Sequence, residues 1–474
     1  MSELHDFSAL EQAAAVRRRE VSPVELVRHY LERIEHLDPV VGAFVTVTAD
    51  AALEQARAAE TVAAGVSGEA LAPLHGVPTA IKDLNLVAGQ PLTLGSKAFE
   101  GTVAPVDDFV VTLLRQAGTI SLGKTNTPEF GLACYTAPDV APPARTPWDT
   151  SRGAGGSSGG AAAAVAAGLV PFAQASDGAG SVRIPASACG LFGIKVSRGR
   201  ISNGPLAGDL TGLAWNGPLA RTVADAAAML DAMAVVPMPG DPHWAPPLPP
   251  GETFTAHASR DPGRLRIARH ITNVVHAPVH ADVIAAYEAT SALLGDLGHE
   301  VVDIEPAASG ELEEDFRVLW SVSALTVPCS PSREHVLRPL TRWLRGLGRG
   351  HSAARYLAAV ANLQLAAREA LGQLLGYDAV LTPTLAQPPA PVGSLRDDDD
   401  PEADFRAQAA FAPYPALANL LGTPAVNVPV HWTPGGVPIG CQLLGRPGDE
   451  AGLIRLSAQL EAASGWPRRR PPQW

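Results

Sequence analysis

Apolar residues at helical spacing open the chain. Val24, Val27, Tyr30, Leu31 and Ile34 recur every three or four residues, which is how one buried face of a helix reads in sequence. Just ahead of them, Ser22-Pro23-Val24-Glu25 supplies a capping hydroxyl, a Pro for the first turn and a Glu three residues on. That is a capping box, and it fixes where the helix begins. Ala43–Thr48 (AFVTVT) then reads as a strand, and an Ala-rich segment to about Ala64 as a second helix. From there the two patterns alternate. Gly76–Leu84 reads as a strand ending near a Lys-Asp pair, Asp107–Gln116 as a helix closed by Gly118, and Thr119–Leu122 as a strand. Ala161–Gly168 reads as a helix of small residues, Leu169–Ala175 as a buried strand, and Thr222-x-x-Asp225 as the cap of another helix. This alternation predicts an α/β fold whose sheet is largely parallel and covered on both faces.

The pattern loosens in the second half. A Pro-rich stretch between Val236 and Glu252 reads as an extended surface loop. Residues 253–400 are less regular, with a strand at Leu265–His270 and a helix at Pro278–Leu297. The run Asp397–Asp400 reads as a solvated loop, because nothing spaces its carboxylates around an ion. Regularity returns with a helix at Pro413–Leu421, strands at Pro424–Val430 and Val437–Leu444, and a closing helix at Glu450–Ala463. No internal repeat is visible.

Composition narrows the function classes. The 474 residues carry a formal net charge of −12, which argues against nucleic acid or an anionic membrane as the main partner. The N-terminus, MSELHDFSALEQ, has no basic segment followed by an apolar one, so no secretory signal is expected. The longest apolar stretch, Ala161–Ala173, is too short and too rich in Ala and Gly to span a bilayer. Cys134, Cys189, Cys329 and Cys441 lack metal-site or CxxC spacing and read as reduced thiols of a cytoplasmic protein.

Four patterns compete to carry chemistry. Gly118–Thr125 matches GxxxxGK[ST] letter for letter, but a phosphate-binding loop follows a strand and opens a helix, and this one does the reverse. Gly155–Gly159 fits G-x-S-x-G, with His431 as a candidate base, but the preceding ARTPWDTSR is polar and turn-rich where a nucleophile elbow needs a buried strand. His276 and His280 could pair on a metal, yet Pro278 lies between them and no third ligand suggests itself, so no metal is expected.

The fourth pattern spans three segments: Lys82 in GVPTAIKD, Ser157 in GAGGSSGGAAAAVAAG, and Ser181 in SDGAGSVRIPAS. A serine needs a base to become nucleophilic at neutral pH, and a lysine serves only when neutral. Moving a lysine from about 10.4 towards 7 takes roughly 4–5 kcal/mol, which burial can supply. Lys82 sits among Val77, Ala80, Ile81 and Leu84, a setting suited to desolvation. The plainer alternatives are a surface lysine at a strand end and hydroxyls that merely cap helices or sit in loops. The glycines around Ser157-Ser158 favour the chemical reading, because they let backbone pass close to backbone. Successive N–H groups of Gly178-Ala179-Gly180-Ser181 can converge on one oxygen, as an oxyanion hole requires. Asp177 and Arg183 flank that loop and are placed to lock it by an ion pair.

At these residues the chain resembles the amidase signature family. Gly153–Arg200 is similar to the family's Gly/Ser-rich signature, including G-G-S-S-G-G, D-x-x-G-S-[IV]-R and Gly193-Ile194-Lys195. Gly76–Asp83, Gly123–Phe130, Asn419–Ala425 and Gly436–Gln442 match further family motifs. The resemblance implies one α/β/α domain over residues 1–474 around a mixed, mostly parallel twisted sheet. Within it, residues 1–65 form an N-terminal helical part, 70–235 the signature core, 236–404 a region that varies with substrate, and 405–474 the rest of the core. It implies a Ser–cisSer–Lys triad: Ser181 the acyl-forming nucleophile, Ser157 the bridging serine held by a cis peptide, Lys82 the base. The backbone of Gly178–Ser181 would form the oxyanion hole, Ser158, Asp177 and Arg183 would support it, and Asn126 is a candidate substrate contact. Where many members have two glycines before the nucleophile, this chain has Ala179-Gly180. Ala keeps its N–H, so the hole should survive if the loop tolerates a Cβ. The wording S-D-G-x-G-S-[IV]-R-I-P-A looks closest to hydrolases of the 6-aminohexanoate cyclic dimer type. The implied activity is cofactor-free, metal-free hydrolysis of a small linear or cyclic amide by a monomer or homodimer. Two other readings stay open: an amidotransferase A-type subunit passing ammonia to a partner, and a Ser/His/Asp α/β-hydrolase.

Overall fold

The computed structural model describes residues 3–474 except 207–210, 235–237, 239 and 307–311. The expected boundary at 235/236 thus falls outside the described residues. Among the described residues there are eleven strands, β1 (Phe44–Val47), β2 (Pro78–Lys82), β3 (Ile120–Thr125), β4 (Phe172–Asp177), β5 (Phe192–Lys195), β6 (Trp215–Ala220), β7 (Arg266–Arg269), β8 (Glu300–Asp303), β9 (Ala379–Pro383), β10 (Ala425–Trp432) and β11 (Pro438–Gly445). They form an eight-stranded sheet of order β4-β6-β5-β10-β11-β9-β7-β8 and a three-stranded sheet of order β1-β3-β2. β2 lies alongside β4, and the Gln174 side chain bridges them. Its Oε1 accepts from the Lys82 N–H at 2.9 Å, and its Nε2 donates to Asn85 and Asn216. Helices cover the sheets on both sides, giving the expected α/β architecture around a large mixed sheet.

The expectation of mostly parallel strands is corrected. In the large sheet only β7–β8 and β7–β9 are parallel, while β4–β6, β5–β6, β5–β10, β10–β11 and β9–β11 are antiparallel. Alternation of helix and strand along a chain implies parallel pairing only when each helix crosses between neighbouring strands. β10 and β11 are joined by the short turn 433–437, which reverses the chain. β5 and β6 pair antiparallel although 19 residues separate them.

The first-half elements form where the residue pattern puts them. Ser22 Oγ accepts from Glu25 N–H at 3.1 Å while Glu25 Oε2 accepts from Ser22 N–H at 2.7 Å, starting the helix Pro23–Val41. Helix Gly159–Ala166 is buried on every side. Its small residues admit β1 and the end of β3: a Cβ on Gly160 would lie 2.3 Å from Asn126 N and 2.4 Å from Ala43 O. No described helix is long and apolar enough to cross a membrane. Gly118–Thr125 is no phosphate cradle, because Ile120–Thr125 is β3 and Lys124 is buried, donating to Asp83 Oδ1 at 2.8 Å and Asn85 O at 2.7 Å.

Candidate active site

β2 delivers Lys82 at its buried end. Nζ donates to Ser157 Oγ at 2.8 Å, to Ser176 Oγ at 3.1 Å and to Ser176 O at 3.3 Å. Burial pulls this ammonium down to about 7, against a weaker upward pull from Asp177. No carboxylate bonds to it, so the neutral amine is within reach at ordinary pH. Ser157 follows a cis Gly156–Ser157 peptide. Its neighbour Ser158 ties two parts of the site together. The Ser158 N–H donates to Ser181 O at 3.2 Å, and its Oγ donates to Ser176 O at 3.1 Å. Lys82 is 0% exposed and Ser157 2%, while Ser181 is 8% exposed and lines a cavity of about 390 Å³. The hydroxyl at the cavity is therefore Ser181, with Ser157 and Lys82 behind it.

The loop holding Ser181 is fixed by one carboxylate. Asp177 Oδ1 accepts from Gly180 N–H at 2.7 Å and Oδ2 from Val182 N–H at 3.1 Å. Arg183 grips the same carboxylate with Nε at 2.9 Å and Nη2 at 2.8 Å, both residues fully buried. Burial alone would push Asp177 up, but the charge and hydrogen bonds of Arg183, with those of Asn419 and Val182, outweigh it and hold the carboxyl well below the usual range. Arg183 also bonds Asn419 Oδ1 and Pro415 O, each at 2.7 Å, and Gln442 Oε1. This is where the C-terminal motifs of Asn419 and Gln442 meet the Ser181 loop.

Two expectations change. Gly180 N–H donates to Asp177, so that group is not free for the oxyanion hole expected of this loop. Ala179 has no positive φ and lines the cavity, so its Cβ needs no special backbone. Asn126, expected as a candidate substrate contact, does not line the cavity. It is fully buried away from the cavity, and its Nδ2 donates to Gly42 O at 3.0 Å and Pro142 O at 2.7 Å. Its backbone bonds Ala43 and Gly160, so it clamps the Gly159–Ala166 helix to the chain around β1. His431 lies on β10 opposite Ile439, and the partner of Ser157 is Lys82, which removes the G-x-S-x-G reading. Among the described residues no cluster of His, Cys, Asp and Glu could hold a metal.

Three features escaped the sequence reading. Ser176 shares the Lys82 amine, and its place next to Asp177 in the SDGAGS motif was the available signal. The Gly131–Cys134 segment forms one cavity wall, and its backbone abuts the Gly-Ser loop so closely that a Cβ on Gly156 would lie 2.8 Å from Cys134 C. A further part of the wall comes from helices Leu312–Ser323, Ala353–Leu374 and Pro401–Phe411, where the sequence carries no motif.

With this geometry in place, comparison with known proteins is informative. The Amidase family matches residues 25–454. The chain belongs to the amidase signature family. An acylamidase of Rhodococcus erythropolis is 36% identical over 489 aligned positions, covering 99% of this chain and 98% of that protein. A structure of 6-aminohexanoate cyclic dimer hydrolase with substrate superposes with a TM-score of 0.91 at 30% identity, covering 99% of this chain and 100% of that one. A bacterial aryl acylamidase of the amidase signature family gives a TM-score of 0.87 at 26% identity, covering 99% of this chain and 100% of that one. As a family member the protein is an amide hydrolase.

Proposed function

We propose that the protein hydrolyses a small carboxamide through an acyl-enzyme on Ser181. Ser181 Oγ attacks the carbonyl carbon as its proton passes to Ser157 Oγ, and the Ser157 proton passes to the neutral Lys82 amine. The developing oxyanion sits against the N–H groups of the Gly178–Ser181 loop that Asp177 leaves unused, where fixed donors need no reorganisation. The same relay, run backwards, protonates the leaving amine as the C–N bond breaks. Water then cleaves the ester, restoring Ser181 and releasing the acid. We read the relay as needing neither metal nor cofactor, and the amine leaves as free product instead of reaching a partner subunit.

The observation that carries this reading is the buried, carboxylate-free Lys82 amine 2.8 Å from Ser157 Oγ. The test is labelling by a fluorophosphonate. The wild type should be modified at Ser181 with loss of amide turnover, and Ser181→Ala should lose both labelling and turnover while keeping its melting temperature. Full turnover in Ser181→Ala would remove the nucleophile assignment.

A further inference from the structure

We propose that the preferred substrate is an uncharged amide bearing an apolar group of about ring size, and that Trp320 is the residue that selects it. This rests on Ser181 being the nucleophile. The cavity of about 390 Å³ in front of Ser181 is lined by four aromatic side chains, Phe316, Trp320, Phe405 and Tyr414, a volume typical of sites for small organic ligands. Trp320 stacks on Phe316, with ring centroids 5.5 Å apart and planes 18° from parallel. Its indole Nε1 donates to Leu132 O at 3.2 Å. The far edge of the ring faces Gly178, where an added Cβ would lie 3.6 Å from Cη2. One indole thus spans from the Gly131–Cys134 wall to the loop that carries Ser181, so a group of ring size attached to a carbonyl at Ser181 would lie beside it.

Charge argues the same way. Among the described lining residues there is no Lys, Arg or Asp, and the one acid, Glu313, is exposed. His270 lies in the lining with Nδ1 facing Thr272 O at 3.1 Å, and burial lowers it from its ordinary value. His276, also in the lining, is exposed. A carboxylate or ammonium on the substrate would be desolvated here without a counter-ion, which is costly. An apolar ring exchanges water for aromatic faces, and a pocket of this kind discriminates by roughly 10- to 200-fold.

The experiment compares kcat/KM for acetamide, phenylacetamide, acetanilide, and the para-carboxylate and para-aminomethyl derivatives of the two ring amides. At least one neutral ring amide should exceed acetamide by about tenfold or more, and its charged derivatives should fall about tenfold or more below it. Trp320→Ala should cut kcat/KM for that ring amide about tenfold, mainly through KM, with less than about a threefold change for acetamide. Trp320→Phe should restore most of the loss, and fluorophosphonate labelling of Ser181 should persist in both variants. The proposal fails if acetamide or a charged derivative is preferred, or if no neutral ring amide is turned over, while Ser181 still labels. It fails as well if Trp320→Ala slows all substrates equally, since Trp320 would then only position the loops. Absent labelling at Ser181, with turnover surviving Ser181→Ala, would instead overturn the acyl-enzyme reading beneath it.

Discussion

The ends of β2 and β3 lie side by side, and each carries a lysine that is completely buried. The two are used in opposite ways. Lys124 donates to the Asp83 carboxylate at 2.8 Å. Lys82, adjacent to that same Asp83 in sequence, meets only hydroxyls and a carbonyl. β2 ends at Lys82, and Asp83, the first residue of the turn that follows, reaches the lysine of the next strand instead of its neighbour. Burial is thus common to both, and the partner differs: a carboxylate makes a buried ion pair of Lys124, while hydroxyls leave Lys82 free for the proposed proton relay. Lys195 adds a control. It is also fully buried and held down to about 7, by burial first and the Arg183 charge second. Yet its amine donates to Thr423 O at 2.7 Å and Val196 O at 2.9 Å, and carbonyls cannot hand on a proton.

The largest expected effect separates Lys82 from its look-alikes. Lys82→Arg keeps a cation but fixes it as charged, so kcat/KM should fall on the order of 10²–10⁴-fold, nearly as far as in Lys82→Ala. Activity close to wild type, with an unchanged pH profile, would show that Lys82 is not the base.

The second effect is on stability. Asp83→Asn leaves the Lys124 ammonium buried opposite a neutral amide, which should cost about 3–5 kcal/mol in urea unfolding. An unchanged midpoint would mean that the pair adds nothing to the fold and that the contrast with Lys82 is overdrawn.

The third concerns pH. A base whose value is pulled down to about 7 is increasingly neutral as pH rises through that point. The kcat/KM profile should therefore climb about tenfold per unit below 7 and level off above it. A profile flat from pH 5 to 9 would sink the relay. The smallest effect is expected at Ala179→Gly, which keeps the N–H and removes only a Cβ facing the cavity, so kcat/KM should stay within about tenfold of wild type. A drop of 10²-fold or more, the scale of losing an oxyanion donor, would show that the methyl group itself positions the loop.

What the sequence disclosed follows physical lines. Lys82, Ser157, Ser181, Asp177 and Arg183 stood out because small residues and a buried strand end leave few uses for a charged or hydroxyl side chain. Asn126 shows the limit, since a polar residue inside a motif is equally fit to bond backbone carbonyls, as it does with Gly42 and Pro142. Thr222 caps its helix as expected, but Asp225 bonds the Ala9 and Leu10 N–H groups at the start of another helix, a long-range use that local spacing does not announce. Strand β6 was unreadable because Gly217-Pro218 in its middle resembles a turn. Strand directions were misread because consecutive strands such as β10–β11 and β5–β6 pair antiparallel without a crossing helix, and pairs such as β4–β6 and β9–β11 are not consecutive. The part of the wall on helix Ala353–Leu374 was missed because that helix exposes Leu357 and Leu365 as well as burying Leu363, which blurs the periodicity.

The division between the two halves of the cavity has a practical side. Lys82, Ser157 and Ser181 come from a tightly interlocked stretch where almost any added atom collides, as at Gly156 and Gly160. Phe316, Trp320 and Phe405 come from helices that meet the wall segment Gly131–Cys134 and Tyr135 by side-chain packing and by three hydrogen bonds, Trp320–Leu132, Cys134–Gln408 and Tyr135–Asp404. Such a layout makes the helical wall easier to redraw than the Gly-Ser stretch it faces, provided Gln408 and Asp404, which hold Cys134 and Tyr135, are kept. For directed evolution, libraries belong on residues 312–323 and 401–411, and the glycines near Ser157 are best left untouched.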